Sequence, residues 1–458
     1  MKQKSNQRIG AHLLRSAFYI ILVVTVSSIP FAVGQRAKQA RPRIARSSPS
    51  TSPTGCGLDW RIAASPNSSA STNILFGVGG VYYASNVWAV GVYYDENFTA
   101  HTLAEYWDGT AWILQSTPNP GSTANQLNAV AVGSGVWAVG YFTDENFIAH
   151  TLIEYWNGIW QVVPSPDHGD NGSYLQSVTV EGFNSVWAVG YYIDENLVNQ
   201  TLVEHWDGQS WTIIPSPNRG TDGSQLNGII AVSFGPELWA VGYSGQGNGV
   251  QTLIERWNGS VWTIVDSPNP GTSGNYLQAI TEIPASGDLW AAGYYYDSGH
   301  PRTLIERWDG VNWHVVPSPN VGTGGNSLFG VSGFSANDVW AVGAYNLNNQ
   351  TGTLQTLAEQ WDGNAWNIVP SPNQGGADNI LYAATRAQLA DWAVGTYSDG
   401  INGRTLTLHY SDPCVTPTPT PHECSPSPCF TPTPTPPATA TPRVTPTPRL
   451  RPTAAARP

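Results

Sequence analysis

The stretch Val87-Trp88-Ala89-Val90-Gly91 decides the fold of this chain, because it returns six more times with small variations. The later copies are centred on tryptophans spaced 49 to 52 residues apart, namely Trp137, Trp187, Trp239, Trp290, Trp340 and Trp392. Seven copies of one unit predict a repeat architecture in which neighbouring units share a core.

Each unit contains four strand-like segments, which the second unit shows clearly. They run from Leu127 to Val132, Val136 to Phe142, Thr151 to Trp156 and Trp160 to Val163. Asn157-Gly158 joins the last two as a tight hairpin, and a Pro-Ser-Pro run ends the fourth because proline cannot donate to a strand ladder. Seven such units predict an all-β fold, a seven-bladed β-propeller with four antiparallel strands per blade.

The order of motifs within a unit resembles the kelch family of propellers. In the second unit, Val139-Gly140-Tyr141 ends one strand, Tyr155-Trp156 ends the next, and Trp160 lies on the outer strand. Trp107-Asp108 is one of several Trp-Asp pairs that resemble WD-type repeats. Both resemblances imply a propeller. The kelch double glycine is Val-Gly here, and no partner is carried over from either family.

The 20 tryptophans fall into three columns and leave one residue over. The second strands hold the seven already named. The third strands end in Trp107, Trp156, Trp206, Trp257, Trp308 and Trp361, and the fourth strands begin with Trp112, Trp160, Trp211, Trp262, Trp313 and Trp366. The seventh unit lacks a fourth strand, and Trp60 precedes the same Pro-Asn ending as the fourth-strand tryptophans. We therefore expect a strand around Trp60 to complete the last blade and close the ring.

Strand alternation gives the repeated motif a bulky and a small face. In the second unit, Trp137 and Val139 share one face, and Ala138 and Gly140 share the other. We expect the bulky face of one blade to pack on the small face of the next, with most tryptophans in the core and sugar stacking as the alternative role.

A glutamate recurs in the third strand of six units: Glu105, Glu154, Glu204, Glu255, Glu306 and Glu359. Leu408 takes this position in the seventh unit. A catalytic centre needs a unique site, whereas these carboxyls are symmetric copies. They are therefore predicted to be structural hydrogen-bond acceptors.

The regions outside the repeats have distinct compositions. Residues 1–34, with basic residues before an apolar run from Ala17 to Val26, predict an export signal, or an uncleaved N-terminal anchor as the alternative. Residues 35–55 form a basic, Ser/Pro-rich linker, residues 56–414 the propeller, and residues 415–458 a Thr/Pro-rich disordered tail. We expect a protein that is secreted or held at the cell surface, with no membrane span in the mature chain if the signal is cleaved.

Export permits disulfides among the four cysteines. Cys56 lies four residues before Trp60, and Cys414 lies four residues after Tyr410, so the two flank the seam where a hairpin is missing. We predict a Cys56–Cys414 disulfide across this seam. Cys424 and Cys429 would then form a local loop, although the sequence does not establish their pairing.

Charge is segregated along the chain. Residues 57–412 contain 31 Asp and Glu but only seven Arg and no Lys. A surface of that sign repels phosphate backbones, so nucleic acid is not an expected partner. We expect a monomer.

Three columns of residues border the face that carries the long loops, where ligands usually bind on a rigid scaffold. The first column, near the channel mouth, is Phe76, Asn128, Gln176, Asn227, Gln278, Phe329 and Tyr382. The second ends the second strands and is Tyr93, Phe142, Tyr192, Ser244, Tyr295, Tyr345 and Tyr397. The third opens the third strands and is His101, His150, Gln200, Gln251, Arg302, Gln355 and Arg404.

No cofactor is expected, and calcium is the one cation that the sequence leaves open. The motif Asp-Glu-Asn begins at Asp95, Asp144 and Asp194, in the loops between second and third strands. Ca²⁺ needs several oxygen ligands, and the motif lacks the spaced ligands of a dedicated calcium loop.

The sequence predicts an exported, non-enzymatic binding propeller that presents its loops to an extracellular carbohydrate or protein. Two alternatives remain open at this point. One is a propeller enzyme of lyase, glycosidase or oxidase type with its site at the channel mouth. The other is a structural component of the cell surface. No nucleophile motif, metal cluster or phosphate-binding loop rises above background.

Overall fold

A computed structural model describes residues 57–81, 86–233, 235–247, 249–284, 286–348, 352–387 and 390–411. The predicted export signal, the linker, the tail and all four cysteines lie outside these ranges. Within the ranges, no helix has the length and apolar character that a membrane span requires.

The described residues form 28 strands in four positional sets. First strands are β2 (Asn73–Gly80), β6 (Ala124–Val132), β10 (Ser173–Gly182), β14 (Ser224–Ala231), β18 (Asn275–Ile283), β22 (Asn326–Ser335) and β26 (Asn379–Ala387). Second strands are β3 (Val87–Tyr94), β7 (Val136–Thr143), β11 (Ser185–Ile193), β15 (Leu238–Gln246), β19 (Asp288–Asp297), β23 (Asp338–Tyr345) and β27 (Ala390–Ser398). Third strands are β4 (Ala100–Trp107), β8 (Ala149–Trp156), β12 (Asn199–Trp206), β16 (Gly249–Trp257), β20 (His300–Trp308), β24 (Gln355–Trp361) and β28 (Gly403–Ser411). Fourth strands are β5 (Trp112–Gln115), β9 (Trp160–Val162), β13 (Trp211–Ile213), β17 (Trp262–Val265), β21 (Trp313–Val315), β25 (Trp366–Ile368) and β1 (Asp59–Ala63).

These strands make seven antiparallel sheets of four, which we number blade 1 (β2 to β5) through blade 7 (β26, β27, β28 and β1). The first strands of neighbouring blades contact one another all the way round, and β26 meets β2. The predicted seven-bladed propeller is therefore confirmed. We call the face that carries the second-to-third and fourth-to-first connections the upper face, and the opposite one the lower face.

The ring closes through a strand from the start of the repeat region, as predicted. β1 pairs antiparallel with β28 and places Trp60 opposite Tyr410. The Trp60 ring lies 5.0 Å from the Trp340 ring of blade 6 in an edge-on contact. Trp160 makes the same kind of contact with Trp88 at 5.2 Å in an ordinary blade, so Trp60 takes the place of a fourth-strand tryptophan.

The core consists of clusters between blades, and the predicted packing of bulky on small faces is confirmed. Trp88 of blade 1 contacts the rings of Trp156 and Trp160 of blade 2, with centroid distances of 4.9 and 5.2 Å. The same buried cluster contains Ala138, from the small face of β7. Because aromatic pairs favour such tilted and edge-on geometries, each interface is specified by the tryptophans of both blades.

The third-strand glutamates are fully buried at the interfaces between blades. The Ser65 hydroxyl of blade 7 donates to both carboxyl oxygens of Glu105, at 3.0 and 2.8 Å. Ser216 donates to Glu255 at 2.6 Å in the same way. Each serine follows the fourth strand of the preceding blade, so these carboxyls link adjacent blades, as structural acceptors do.

The carboxyls of Glu154 and Glu306 lack this link. The oxygens of both are buried and have no hydrogen-bond partner among the described residues. Burial raises the pKa of Glu306 to about 8, so the carboxyl is neutral at pH 7. In blade 7 the apolar Leu408 fills the same strand position, fully buried, so the interface also accommodates an aliphatic side chain there.

Candidate binding site at the channel mouth

The first strand of every blade contains a β-bulge near the upper face. One residue is left out of the pairing with the second strand, and these residues are the whole first predicted column: Phe76, Asn128, Gln176, Asn227, Gln278, Phe329 and Tyr382. A bulge takes its residue out of the normal alternation and re-aims the side chain. Because the first strands form the inner ring, these seven side chains surround the mouth of the central channel.

One side of the mouth is aromatic. Phe329, Tyr382 and Phe76 come from the consecutive blades 6, 7 and 1, and we call them the aromatic arc. The Tyr382 ring lies 5.7 Å from Phe329 and 5.3 Å from Phe76. Tyr382 is buried, whereas the two phenylalanines are half-buried. Burial raises the pKa of the Tyr382 hydroxyl, so that group stays protonated and can donate a hydrogen bond.

The other side of the mouth is lined by amides. Asn128, Gln176, Asn227 and Gln278 come from blades 2 to 5, and we call them the amide arc. Asn128 and Asn227 donate to the main-chain carbonyls of the next blade, Leu175 and Leu277, at 2.7 and 2.8 Å. Two members of the arc therefore fasten blades together.

A chain of hydrogen bonds holds each fastened asparagine. The Tyr141 hydroxyl donates to Gln126 Oε1 at 3.4 Å, Gln126 Nε2 donates to Asn128 Oδ1 at 2.7 Å, and Asn128 continues to the carbonyl of Leu175. Blade 4 repeats the arrangement with Tyr243, Gln225, Asn227 and Leu277.

The other two amides are not fastened, and the neighbouring residues explain why. In blade 3, Tyr174 replaces the bridging glutamine and stacks on Tyr191 at 4.8 Å, and in blade 5 Tyr276 stacks on Tyr294 at 5.0 Å. The side chains of Gln176 and Gln278 are half-buried and make no hydrogen bond to any described residue. Their amides are therefore available to a ligand.

The tyrosines that hydrogen-bond or stack beside the first column were not among the residues predicted from the sequence. Tyr141, Tyr191 and Tyr294 directly follow the motif glycine, one position before the predicted second column. The available signal was a two-blade alternation: blades 2 and 4 have Gln-x-Asn, and blades 3 and 5 have Tyr-x-Gln, in the same part of the first strand. Burial raises the pKa of Tyr191, so its hydroxyl stays uncharged.

The second predicted column lies one strand farther from the channel. Its tyrosines pack, partly buried, against the clusters between blades: Tyr93, Tyr192, Tyr295, Tyr345 and Tyr397. Each residue of this column pairs across the ladder with a residue of the third column, as Tyr93 does with His101. The structure therefore joins the second and third columns to each other and keeps both off the inner ring.

The two candidate histidines contact carboxylates beside the loops. His101 stacks on Tyr93 with a centroid distance of 5.0 Å, and its Nε2 lies 3.2 Å from Asp95 Oδ2. The Nδ1 atom of His150 lies 2.7 Å from Asp167 Oδ2, and its Nε2 lies 3.7 Å from Asp144 Oδ2. His101 therefore contacts the loop between the second and third strands of its blade, and His150 contacts both that loop and the fourth-to-first connection.

The Asp-Glu-Asn aspartates are turn caps. Asp95 Oδ1 accepts hydrogen bonds from the main-chain N–H groups of Asn97 and Thr99, at 2.8 and 2.9 Å, and Asp144 and Asp194 make the equivalent bonds. The Thr99 N–H and the His101 ring lower the pKa of Asp95. In the described ranges, no group of three or more His, Cys, Asp or Glu is placed to hold a metal ion.

Fold and site define the class of this protein as a seven-bladed β-propeller with an aromatic and amide-lined mouth. No protein-family model matches the sequence. No curated protein matches it either. Among solved structures, the chain is similar to the extracellular domain of a one-component system from B. thetaiotaomicron, with 10% sequence identity and a TM-score of 0.46. The match covers 76% of this chain and 39% of that chain, so this chain spans well under half of that protein's length.

Proposed function

We propose that this protein is an exported binding propeller that takes a neutral carbohydrate at the mouth of its central channel. The observation that carries the proposal is the pairing of two chemistries across one opening. The aromatic arc of Phe329, Tyr382 and Phe76 faces unfastened amides at Gln176 and Gln278 around the same inner ring.

Sugars present both apolar and polar surfaces. Their C–H faces pack on aromatic rings, and their hydroxyls exchange hydrogen bonds with amides, which carry both donors and acceptors. A small number of placed polar groups in an otherwise apolar opening is typical of ligand sites. The half-buried Phe76 and Phe329 offer ring surface, and Gln176 and Gln278 offer unused amide groups.

The side chains around the channel mouth favour a neutral ligand, and they favour binding over catalysis. None of the seven bulge residues is charged, and none supplies a carboxyl, imidazole or thiol for general acid–base or nucleophilic steps. The surrounding repeat region is acidic, with 31 Asp and Glu against seven Arg, so anionic sugars are disfavoured by the field of the protein.

Export and display belong to the same proposal. The basic and apolar residues 1–34 supply the export signal, and the Thr/Pro tail after residue 414 supplies a spacer between the propeller and the cell exterior.

The test is an array of neutral glycans probed with the full chain and two variants. Gln176→Ala combined with Gln278→Ala removes the free amides without breaking any hydrogen bond of the described residues, so the fold is retained. Gln209→Ala, an exposed amide in a lower-face turn, is the matched control. We expect the double variant to lose at least about tenfold in affinity, which is about 1.4 kcal/mol, and the control to lose none. Absence of binding to every neutral glycan, or equal binding by the double variant, would contradict the proposal.

A further inference from the structure

The upper face carries a row of exposed apolar loop tips. They lie in the second-to-third connections of five consecutive blades, 6, 7, 1, 2 and 3, and are Leu347, Ile401, Phe98, Phe147 and Leu197. Phe98 and Ile401 are 81% and 89% exposed. The same loops of blades 4 and 5 are polar and glycine-rich, with Gln246-Gly247 and Ser298-Gly299 at the tips. The apolar tips therefore occupy one continuous sector of the face.

Three of these tips adopt a backbone conformation that disfavours their side chains. Phe98, Phe147 and Leu197 have φ values of 62°, 62° and 64°. This left-handed region suits glycine, and Ser298 in the polar loop of blade 5 also has a positive φ, of 51°. The hydrogen bonds of the tight loop compensate for this conformation, and they hold the three apolar side chains in fixed, solvent-facing positions.

The loops that carry these tips are held in place. In the three loops with a positive-φ tip, Asp95, Asp144 and Asp194 each accept two main-chain N–H bonds, as Asp95 does from Asn97 and Thr99. The Phe98 N–H in turn donates to the carbonyl of Asp95 at 3.1 Å. A bound partner would therefore meet preformed tips and would incur little ordering cost.

Acidic side chains accompany the strained tips. Glu96, Glu145 and Glu195 lie two residues before Phe98, Phe147 and Leu197, respectively. All three are exposed, and no hydrogen bond or ion pair joins them to a described residue. A partner that covers the tips must satisfy these carboxylates. Anionic lipid surfaces and a second copy of the same acidic face are disfavoured by like charge.

We propose that this sector of the upper face docks a protein partner whose surface combines apolar pockets with lysine or arginine side chains. The apolar tips fill the pockets, and the basic groups pair with the three glutamates. This docking surface lies on the loops outside the inner ring and does not depend on the sugar site.

The probe is a short synthetic amphipathic helix of leucine and lysine, immobilised and tested against the full chain by surface plasmon resonance. A helix with glutamate in place of lysine and one with serine in place of leucine are run in parallel. The variant Phe98→Ser, Phe147→Ser, Leu197→Ser removes the three tips. The matched control, Ile159→Ser with Val311→Ser, removes exposed apolar residues from the lower-face turns.

We expect the leucine–lysine helix alone to bind, with the tip variant weakened at least about tenfold and the lower-face control unchanged. A second variant, Glu96→Gln, Glu145→Gln, Glu195→Gln, should weaken binding and flatten its salt dependence, since it removes the paired charges.

Three results would overturn the proposal. They are unchanged binding by the tip variant, equal binding of the leucine–glutamate helix, and capture of phosphatidylcholine vesicles as strong as that of the leucine–lysine helix. The last would identify a lipid interface. The Gln176→Ala, Gln278→Ala variant should bind the helix normally, and a loss there would place the helix in the channel mouth and contradict the assignment to the loop tips.

Discussion

Replacing the unpartnered carboxyl of Glu306 with leucine should stabilise this propeller, and by an amount that grows with pH. Glu306 is fully buried between blades 4 and 5, and neither of its oxygens has a partner among the described residues. The equivalent position in blade 7 is already leucine, at Leu408. Glu306→Leu therefore introduces a side chain that this strand position accommodates elsewhere in the ring.

The magnitude follows from the shifted titration. Burial raises the pKa of Glu306 from 4.5 to about 8. Over that interval the folded state keeps a proton that the unfolded chain has released. The stability from this site is therefore complete below pH 4.5 and is lost as pH rises through 8. With about 1.4 kcal/mol per pH unit, roughly 3 kcal/mol is lost by pH 7. The leucine variant does not titrate, so its advantage over the parent should rise by that amount between pH 4.5 and pH 7.

The assay is urea unfolding of the parent and variant at pH 4.5, 6, 7 and 8. The other buried glutamates are common to both proteins and cancel in the comparison. Glu145→Leu is the control for replacing a carboxyl with leucine at an exposed position. A difference for Glu306→Leu that stays within about 1 kcal/mol over the whole range would refute the account of a neutral buried carboxyl.

Three other outcomes are expected. Phe98→Gly and Phe147→Gly should each change the free energy of unfolding by about 1 kcal/mol in the stabilising direction, measured in urea, because glycine relieves the positive φ; a net loss would contradict the strain. Trp60→Ala should cost about 3 to 5 kcal/mol and lower the melting temperature, since it removes the ring that closes the seam; a shift of under a degree would mean that the seam does not depend on it. Non-reducing peptide mapping should link Cys56 to Cys414, and reduction should cost up to about 5 kcal/mol; either cysteine found free or paired elsewhere would contradict this pairing.

The fold was predictable because its signals are local and repeated. The motif around Trp88 and its six counterparts indicates strand alternation, and the Asn-Gly and Asp-Gly turns indicate hairpins. Each of these patterns can be recognised within a few residues of sequence. Even the closing strand could be derived, because Trp60 was the one tryptophan without a blade and the seventh unit was the one blade without a fourth strand. In the second unit, no predicted strand starts more than three residues from its observed start. The largest difference is in the first strand, which was predicted to start at Leu127 and starts at Ala124.

The first column of the candidate site was predicted by position but not by role. Asn128 and Gln176 occupy equivalent bulges, yet only Asn128 is fastened to the next blade. The difference lies two residues earlier in the chain, where Gln126 bonds to Asn128 and Tyr174 instead stacks on Tyr191. Alignment of the repeats makes these two positions equivalent, whereas the hydrogen bond to the next blade distinguishes Asn128 from Gln176.

The number of blades, the strand order, the two faces of each second strand and the strand that closes the ring could all be read from the amino-acid sequence. These follow from a period of about 50 residues and from alternation, which the chain encodes locally. The contacts between blades established which amides are free, and that the Glu105 carboxyl accepts from a serine of another blade while the Glu306 carboxyl has no such partner among the described residues. Each of these depends on a contact between residues far apart in the chain, and a single repeat unit contains no record of what its neighbours present to it.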